Sequence, residues 1–270
     1  MRAKILYVTD LTYPAKGRRY GDEDTYLTRQ LREHFDLALC HPLDAAALMD
    51  GFDAVVVRNS GPVIHQQAEY DEFRAAAITR DTRVFTQLTG KADMIGKQYL
   101  VDLCEIGYPV IPTTGTDPAS LPEASSYVVK PKLGSDSIGL LRVSRDELTH
   151  LCLEGQLAQP LIDFRYEVSF YFIDRDLQYA LYAPDPAKRW ELERYEPTDE
   201  DRAFAQQFVD WNTIDHGIQR VDACRTAAGE LLLVELEDLN PFLSLELTDD
   251  ATRSRFVERM AHSLTGLLAL

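Results

Sequence analysis

Short apolar runs alternate with amphipathic stretches over the first 90 residues. The apolar runs predict strands at residues 4–8, 36–40, 53–58 and 83–86. Apolar residues at helical spacing predict helices over residues 26–35 and 73–78. This alternation is typical of βαβ units around a parallel sheet, in which ligands gather at the carboxyl ends of strands. Arg58, Asn59 and Ser60 follow one of these strands and are therefore candidates for binding a substrate carboxylate, which arginine pairs with bidentately.

The pattern changes after residue 90, where antiparallel hairpins replace the alternation. The predicted elements are a helix over 93–105, a short strand over 107–112, a strand, loop and strand over 127–143, an extended segment over 156–162, hairpins over 166–183 and 217–236, and helices over 199–211 and 248–268. The polar stretch 184–200 is predicted to form a mobile loop or lid. The fold class is therefore α/β and α+β, and we expect three parts: residues 1–90, 91–163 and 164–270.

Composition and charge narrow the possible partners. The chain has 270 residues, four scattered cysteines and a formal charge of −16. The acidic balance argues against a nucleic-acid partner, because phosphate backbones need a positive surface. No apolar stretch approaches the ~18 residues that a membrane span needs, and the N-terminus predicts a buried strand rather than a signal peptide. The cysteine spacing predicts neither a zinc site nor disulfides, so we expect a reducing cytosol.

The segment 127–139 predicts an anion site. A strand ends in Lys130 and Lys132, and a polar loop follows that is bounded by Gly134 and Gly139. Glycines let such a loop close over a ligand, and its backbone N–H groups can point at phosphate oxygens. The loop lacks the Gly-Lys-Ser/Thr ending of a P-loop. The alternative is an ordinary surface hairpin with glycines at its turns.

A second constellation predicts a metal site. Side chains alternate along a strand, so Glu235 and Glu237 share a face, and the predicted hairpin brings Asp222 beside them. Three converging carboxylates repel one another unless a cation lies between them, and oxygen ligands suit Mg²⁺. Arg220 shares the face of Asp222 and is placed to hold a phosphate. The alternative is a solvent-exposed acidic face of an antiparallel sheet.

The order of these motifs resembles the ATP-grasp superfamily over most of the chain. Lys97 precedes the element Gly107-Tyr-Pro-Val-Ile-Pro-Thr113, and the Val-Val-Lys130-Pro strand and its glycine loop come next. The segments Gln159-Pro-Leu-Ile162 and Tyr166-Glu167-Val-Ser follow, before the carboxylate strands. The similarity is strongest to the bacterial branch that includes glutathione synthetase and cycloserine synthetase. It implies an ATP-grasp fold with an N-terminal Rossmann-like subdomain, a small central subdomain and a C-terminal antiparallel-sheet subdomain.

The resemblance also implies roles for individual residues. Arg220 and Lys130 would be catalytic, and Asp222, Glu235 and Glu237 would bind Mg²⁺, or Mn²⁺ in its place. The ATP contacts implied are Lys97, Lys130, Lys132, Gly134, Ser135, Ser137, Gly139, Gln159, Leu161, Ile162, Asp163 and Glu167. The sequence departs from its relatives in the last metal pair, where Glu237 stands in place of the asparagine that many have. It also departs on the substrate side, where no glycine-rich stretch follows the strand predicted over residues 177–183. The residues assigned there are Arg58, Asn59, Ser60, Lys188, Arg189 and Asn240.

Three functions are consistent with the sequence. The first is an ADP-forming carboxylate–amine ligase that acts on small molecules through an acyl phosphate. The second is a ligase that modifies a peptide or protein end, and the third is an ATP-binding sensor without turnover. The complete set of lysines, arginine and carboxylates favours the first two, because sensing alone does not need a full metal face. The sequence does not fix the oligomeric state, for which a homodimer is one expectation.

Overall fold

The N-terminal part of the molecule is built around a parallel sheet. The computed structural model describes residues 2–10, 12–15, 18–58, 66–134 and 137–270. The first elements are β1 (Lys4–Val8), β2 (Pro14–Ala15), β3 (Arg18–Arg19), α1 (Tyr20–Leu31), β4 (Asp36–Cys40), α2 (Ala45–Leu48), β5 (Ala54–Val57), α3 (Gln67–Thr79) and β6 (Val84–Phe85). Four strands pair in the order β4–β1–β5–β6, and all three pairings are parallel. The predicted parallel sheet is confirmed, and β5 is buried along its whole length, as expected for a strand covered on both faces.

Helix α1 begins six residues before the predicted start at Tyr26. The apolar periodicity fails there because two acidic residues of its first turns, Glu23 and Asp24, point into the protein instead of the solvent. A hydrophobic pattern cannot reveal a buried carboxylate whose partner comes from another element. That partner is Arg58, described below.

The middle of the chain forms a small antiparallel sheet. Its elements are α4 (Gln98–Glu105), β7 (Tyr127–Pro131), β8 (Leu141–Val143), α5 (Arg145–Thr149) and β9 (Gln156–Pro160), with strand order β8–β7–β9. The strand predicted over residues 107–112 was wrong, since this segment makes only a single bridge, from Val110 to Leu233. Pro109 and Pro112 lack the N–H groups that a longer ladder would need.

The C-terminal part holds the largest sheet. Its elements are β10 (Phe164–Ile173), β11 (Asp176–Ala183), β12 (Glu193–Tyr195), α6 (Asp199–Asn212), β13 (Ile218–Thr226), β14 (Leu231–Glu237) and α7 (Asp250–Leu268). The strands pair antiparallel in the order β12–β11–β10–β13–β14. The prediction of a loop over residues 184–200 was incomplete, because β12 lies within this stretch and extends the sheet at β11.

A shared core joins the first sheet to the last one. Ile5 and Leu27 of the N-terminal part pack in one apolar cluster with Tyr171 of β10 and Phe256 of α7. Their burial fixes the parallel sheet against the five-stranded sheet. No helix of the described residues is long and apolar enough to cross a membrane.

Candidate active site

A cavity of about 320 Å³ is lined by the small central sheet and the five-stranded sheet. We call it the first cavity. Apolar side chains form much of its wall, among them Ile111, Val128, Leu161, Ile162 and Val234. Charged residues from different segments also line it, namely Lys97, Lys130, Arg142, Glu167, Arg189 and Glu235. The mixture of apolar wall and converging polar groups is typical of a small-molecule site.

Lys97 is a buried cation held between carboxylates. Its backbone N–H donates to the carbonyl of Lys132 at 2.7 Å, which ties the turn before α4 to the end of β7. Its ammonium lies 3.1 Å from Asp93 Oδ2 and contacts Glu235 Oε1. The side chain is 4% exposed, so these carboxylates replace water as its partners.

The turn that carries Asp93 and Lys97 is itself held by a buried pair, Asp238 and Asn212. Asp238 accepts the backbone N–H of Met94 at 2.8 Å and that of Ala92 at 3.1 Å. Asn212 donates to Asp238 at 3.1 Å and accepts the N–H of Lys91 at 2.6 Å. We call this pair the Asp238–Asn212 clamp, and it fixes the turn against the end of β14.

Lys130 lies on β7, opposite Leu157 of β9. Burial, and then the positive charge of Lys97, lower the pKa of Lys130 from its usual 10.5 to about 7, while the charge of Asp93 opposes this shift. The ammonium is thus poorly stabilised by its surroundings. An anion placed beside Lys130 would restore its charge.

The three predicted metal ligands meet on one face of the hairpin β13–β14. Asp222 is paired in register with Glu235, and Glu237 with Arg220. One carboxylate oxygen from each of the three acids lies within 4.8 Å of the others. Burial, and to a smaller extent the charge of Asp222, raise the pKa of Glu237 to about 8, against the opposing effect of Arg220. Three converging carboxylate donors, of which Glu237 resists ionisation without a cation, fit a hard divalent ion such as Mg²⁺ or Mn²⁺.

Arg220 ties this cluster to the loop after β14. Its guanidinium donates to Asp222 at 2.8 Å, to Glu237 at 2.5 Å and to the carbonyl of Phe242 at 2.8 Å. Ser169 of β10, opposite Asp222 in the sheet, donates to that carboxylate at 2.6 Å. The fork of Arg220 is therefore fixed in orientation before any ligand arrives.

A second cavity, of about 150 Å³, adjoins the first. The two share Ser137, Glu167, Arg189, Val234 and Glu235 as lining residues. The second adds aromatic walls from Tyr171, Trp190 and Phe242, and the side chains of Arg220 and Ser244. Glu167 accepts from Arg189 at 2.6 Å, and burial raises its pKa despite that arginine. The carboxylate cluster thus lies where the first and second cavities meet.

Most of the predicted ATP contacts line the first cavity, but some do not. Those that line it are Lys97, Lys130, Gly134, Ser137, Gln159, Leu161, Ile162 and Glu167. Within the described part of the chain, the lining includes neither Asp163 nor Gly139, and Lys132 instead donates to Gln98 Oε1 at 2.5 Å. The N–H of Leu161 is engaged by the carbonyl of Ser126 at 2.9 Å, so this donor is occupied by the sheet. Ser135 lies outside the described residues.

The predicted substrate residues separate in space. Arg58 is 1% exposed and donates to Glu23, Asp24 and the carbonyl of Pro241, at 3.0, 3.1 and 2.7 Å. This corrects the prediction that it binds a substrate carboxylate, because protein groups already occupy its guanidinium. Lys188 is exposed and pairs with Glu191 at 3.0 Å, whereas its neighbour Arg189 lines both cavities.

Of the remaining predicted substrate residues, the structure describes one, and it lines neither of these two cavities. Asn240 lines a third cavity, beside α3. Asn59 and Ser60 lie outside the described residues.

Sequence reasoning missed several groups that shape the site. Asp93 stands four residues before Lys97, an ion-pair spacing that could have flagged it. Ser169 could have been found from the strand register opposite Asp222. The Asp238–Asn212 clamp joins residues 26 positions apart, and no local pattern reveals it.

Comparison with known proteins supports the resemblance. No protein-family model matches the sequence. The chain is 28% identical to the cycloserine biosynthesis protein DcsG of Streptomyces lavendulae over 265 residues, which cover 84% of this chain and 88% of that protein. The crystal structure of D-cycloserine synthetase DcsG superimposes with a TM-score of 0.74 at 25% identity, covering 98% of this chain and 99% of its own.

Two more distant structures share the fold. The ATP-grasp ligase PsnB, solved with a phosphomimetic variant of its minimal precursor, Mg and ADP, has a TM-score of 0.66 at 16% identity, with 96% and 97% of the two chains covered. The D-alanine–D-alanine ligase of Bacillus anthracis, solved with ATP, has a TM-score of 0.65 at 10% identity, with 99% and 97% covered. The ordered motifs, the sheet arrangement and these similarities together identify the chain as an ATP-grasp ligase, similar in sequence and fold to D-cycloserine synthetase.

Proposed function

We propose that this protein is an ADP-forming carboxylate–amine ligase that acts on small molecules through an acyl phosphate. The observation that carries the proposal is the meeting of Lys97, Lys130, Arg220 and the three carboxylates around two adjoining cavities. One cavity has the mixed lining that a nucleotide needs. The other is lined by all three carboxylates, beside which a phosphoryl acceptor would be placed.

The first cavity would hold ATP. Its apolar wall, including Ile111 and Val234, offers a surface for the base, and Lys97 and Lys130 would hold the phosphates. Asp222, Glu235 and Glu237 would hold Mg²⁺, which when bound neutralises the charge of the β- and γ-phosphates. Lys97 would exchange part of its contact with Glu235 for a phosphate oxygen, because Glu235 cannot serve both cations fully.

The second cavity would hold the carboxylate substrate. The carboxylate attacks the γ-phosphorus and releases ADP, leaving an acyl phosphate, and an amine then displaces inorganic phosphate to form the amide. Arg220, fixed by three hydrogen bonds, would stabilise the charge on the phosphoryl group as it transfers. The small volume of about 150 Å³ supports a small acid over a peptide end.

ADP release in the presence of panels of amino acids, dipeptides and longer peptides tests this function, with mass analysis of the product. We expect ADP release with a small acid and an amine together, and an amide product. Glu235→Gln should abolish ADP release, because it removes one of the predicted metal ligands. Glu193→Gln is the matched control, since Glu193 is exposed on β12 and lines neither cavity within the described residues.

Two results would redirect the proposal. ADP release with longer peptides only would replace the small substrate with a peptide end. Binding of ATP with Mg²⁺ but no ADP release with any panel would favour an ATP-binding sensor.

A further inference from the structure

A third cavity, of about 220 Å³, lies beside helix α3. We call it the α3 cavity. Its helical wall consists of Gln67, Tyr70, Asp71 and Arg74, which follow the spacing i, i+3, i+4, i+7 and therefore share one face of α3. The opposite wall includes Asp93 and Lys97 of the turn before α4, together with Lys132, Gly134 and Asn240. Neither ATP nor the carboxylate substrate of the proposed reaction would occupy this space.

Two buried polar atoms on this face of α3 have no hydrogen-bond partner among the described residues, the hydroxyl of Tyr70 and the Nε of Arg74. Tyr70 is 7% exposed. The charged groups that act on its hydroxyl are Asp238, Arg74 and Asp71, and the last two line the α3 cavity together with Tyr70. Buried donors without partners are destabilising. What they lack is a hydrogen-bond acceptor.

The charges around the cavity narrow the choice of acceptor. Lys97 and Lys132 are engaged by Asp93 and Gln98, while no carboxylate of the described residues forms an ion pair with Arg74. A carboxylate is the group that a guanidinium pairs with most specifically. Asp71 and Asp93 line the same space, and they would repel a multiply charged anion but attract an ammonium group.

We propose that the α3 cavity binds a small amino acid. Its carboxylate would meet Arg74 and the Tyr70 hydroxyl, and its ammonium would face Asp71 and Asp93. The α3 cavity shares Lys97 and Gly134 with the first cavity. Occupancy of the two sites is therefore coupled, and the factor by which the amino acid changes ATP affinity equals the factor by which ATP changes amino-acid affinity.

Calorimetric titration of the full chain with each of the common amino acids, with acetate and with inorganic phosphate tests the proposal. We expect at least one amino acid to bind, and to bind more tightly than acetate or phosphate. Tyr70→Phe removes only the unpartnered hydroxyl, and Arg74→Gln removes the charge. Each should weaken amino-acid binding about tenfold, the loss expected for one hydrogen bond to a charged group. Arg80→Gln is the matched control, because Arg80 lies at the end of the same helix and pairs with Asp50 in solvent.

Three results would overturn the proposal: no amino acid binds, acetate or phosphate binds as tightly, or Tyr70→Phe and Arg74→Gln bind the amino acid like the wild type. The test is separable from the ligase proposal. Amino-acid binding that depends on Arg74, without ADP release under any condition, would support the amino-acid site and contradict the proposed ligase reaction. ADP release with an unchanged KM for ATP in both variants, together with no Arg74-dependent binding of an amino acid, would support the ligase reaction and contradict the amino-acid site.

Discussion

Lys130 is half-buried, and its ammonium is poorly solvated and lies near the charge of Lys97, which lowers its pKa to about 7. A bound polyanion would stabilise the ammonium and raise this pKa, so nucleotide binding takes up a proton above neutral pH. Deprotonation of Lys130 should therefore weaken the binding of ATP with Mg²⁺ as the pH rises from about 7 to about 9, by up to roughly tenfold per unit. Calorimetric titration across this range measures the slope.

Lys130→Arg separates this effect from other titrations, because a guanidinium stays charged throughout. Glu237, whose pKa is about 8, titrates in both proteins and cancels in the comparison. Relative to this variant, the wild type should lose affinity for ATP as the pH rises, so the ratio of the two affinities should fall. Parallel profiles for the two proteins would show that Lys130 does not face the phosphates.

Arg220 offers a test of orientation at constant charge. Arg220→Lys keeps the cation but cannot reach Asp222, Glu237 and the Phe242 carbonyl together. We expect the rate of ADP release to fall about 10²–10³-fold, as when one preorganised donor is lost from a transition state. The control is Arg225→Lys on the same strand, since Arg225 donates to Asp201 away from the cavities. An equal loss of rate in both variants would reduce the role of Arg220 to stability.

Single residues were predictable wherever one strand or one turn sets their neighbours. The period of two along β13 and β14 was enough to place Asp222, Glu235 and Glu237 on one face. Arg58 was misjudged because its partners lie on α1, more than thirty positions earlier, and sequence spacing carries no information on that contact.

At the scale of elements, the turn before α4 depends on a clamp from outside its own segment. Asp238→Asn would put an amide NH₂ opposite a backbone N–H or the Asn212 amide, so at least one of the three donors loses its acceptor. We expect the free energy of unfolding to fall by about 1–3 kcal/mol. Because the turn carries Lys97, the affinity for ATP should also fall, by roughly tenfold.

Asp174→Asn is the matched control for this prediction. Asp174 is also buried, and it accepts from the N–H of Gly217 and from Ser263 and Arg259, at 3.0, 2.5 and 2.8 Å. Urea unfolding should show a similar loss of stability in both variants, while ATP titration should show a loss of affinity in Asp238→Asn alone. If both variants kept the wild-type affinity for ATP, the Asp238–Asn212 clamp would contribute to the stability of the fold but not to ATP binding.

The elements themselves were predictable to different degrees. Strands with continuous apolar runs, such as β1 and β5, were placed correctly. A strand that is buried on both faces consists almost entirely of apolar residues, and such a run is visible in the sequence. Strand β12 was missed because its residues Glu193, Arg194 and Tyr195 are mostly polar, as is usual at a sheet edge. An edge strand of this kind forms because it pairs with the neighbouring strand, here β11, and the local sequence pattern carries no information on that pairing.

At the scale of the whole molecule, the N-terminal sheet is fastened to the site by a buried ionic network. Arg58 at the end of β5 joins Glu23 and Asp24 of α1 to the Pro241 carbonyl, and Glu23 accepts the backbone N–H of Leu243 at 2.9 Å. This loop also carries Phe242, whose carbonyl holds Arg220. The division of the chain at residues 90 and 163, a cytosolic location and a homodimer stay predictions.

This network makes the stability of the molecule unusually sensitive to one arginine. Arg58→Met would leave Glu23 and Asp24 buried without their cation, and all three side chains are at most 2% exposed. The expected loss in the free energy of unfolding is about 3–5 kcal/mol. Arg80→Met breaks an ion pair of similar length, to Asp50, whose side chains are 45% and 67% exposed, and should cost less than about 1 kcal/mol. Urea unfolding of the two variants measures the difference, and equal losses would mean that the buried network contributes no more than an exposed pair.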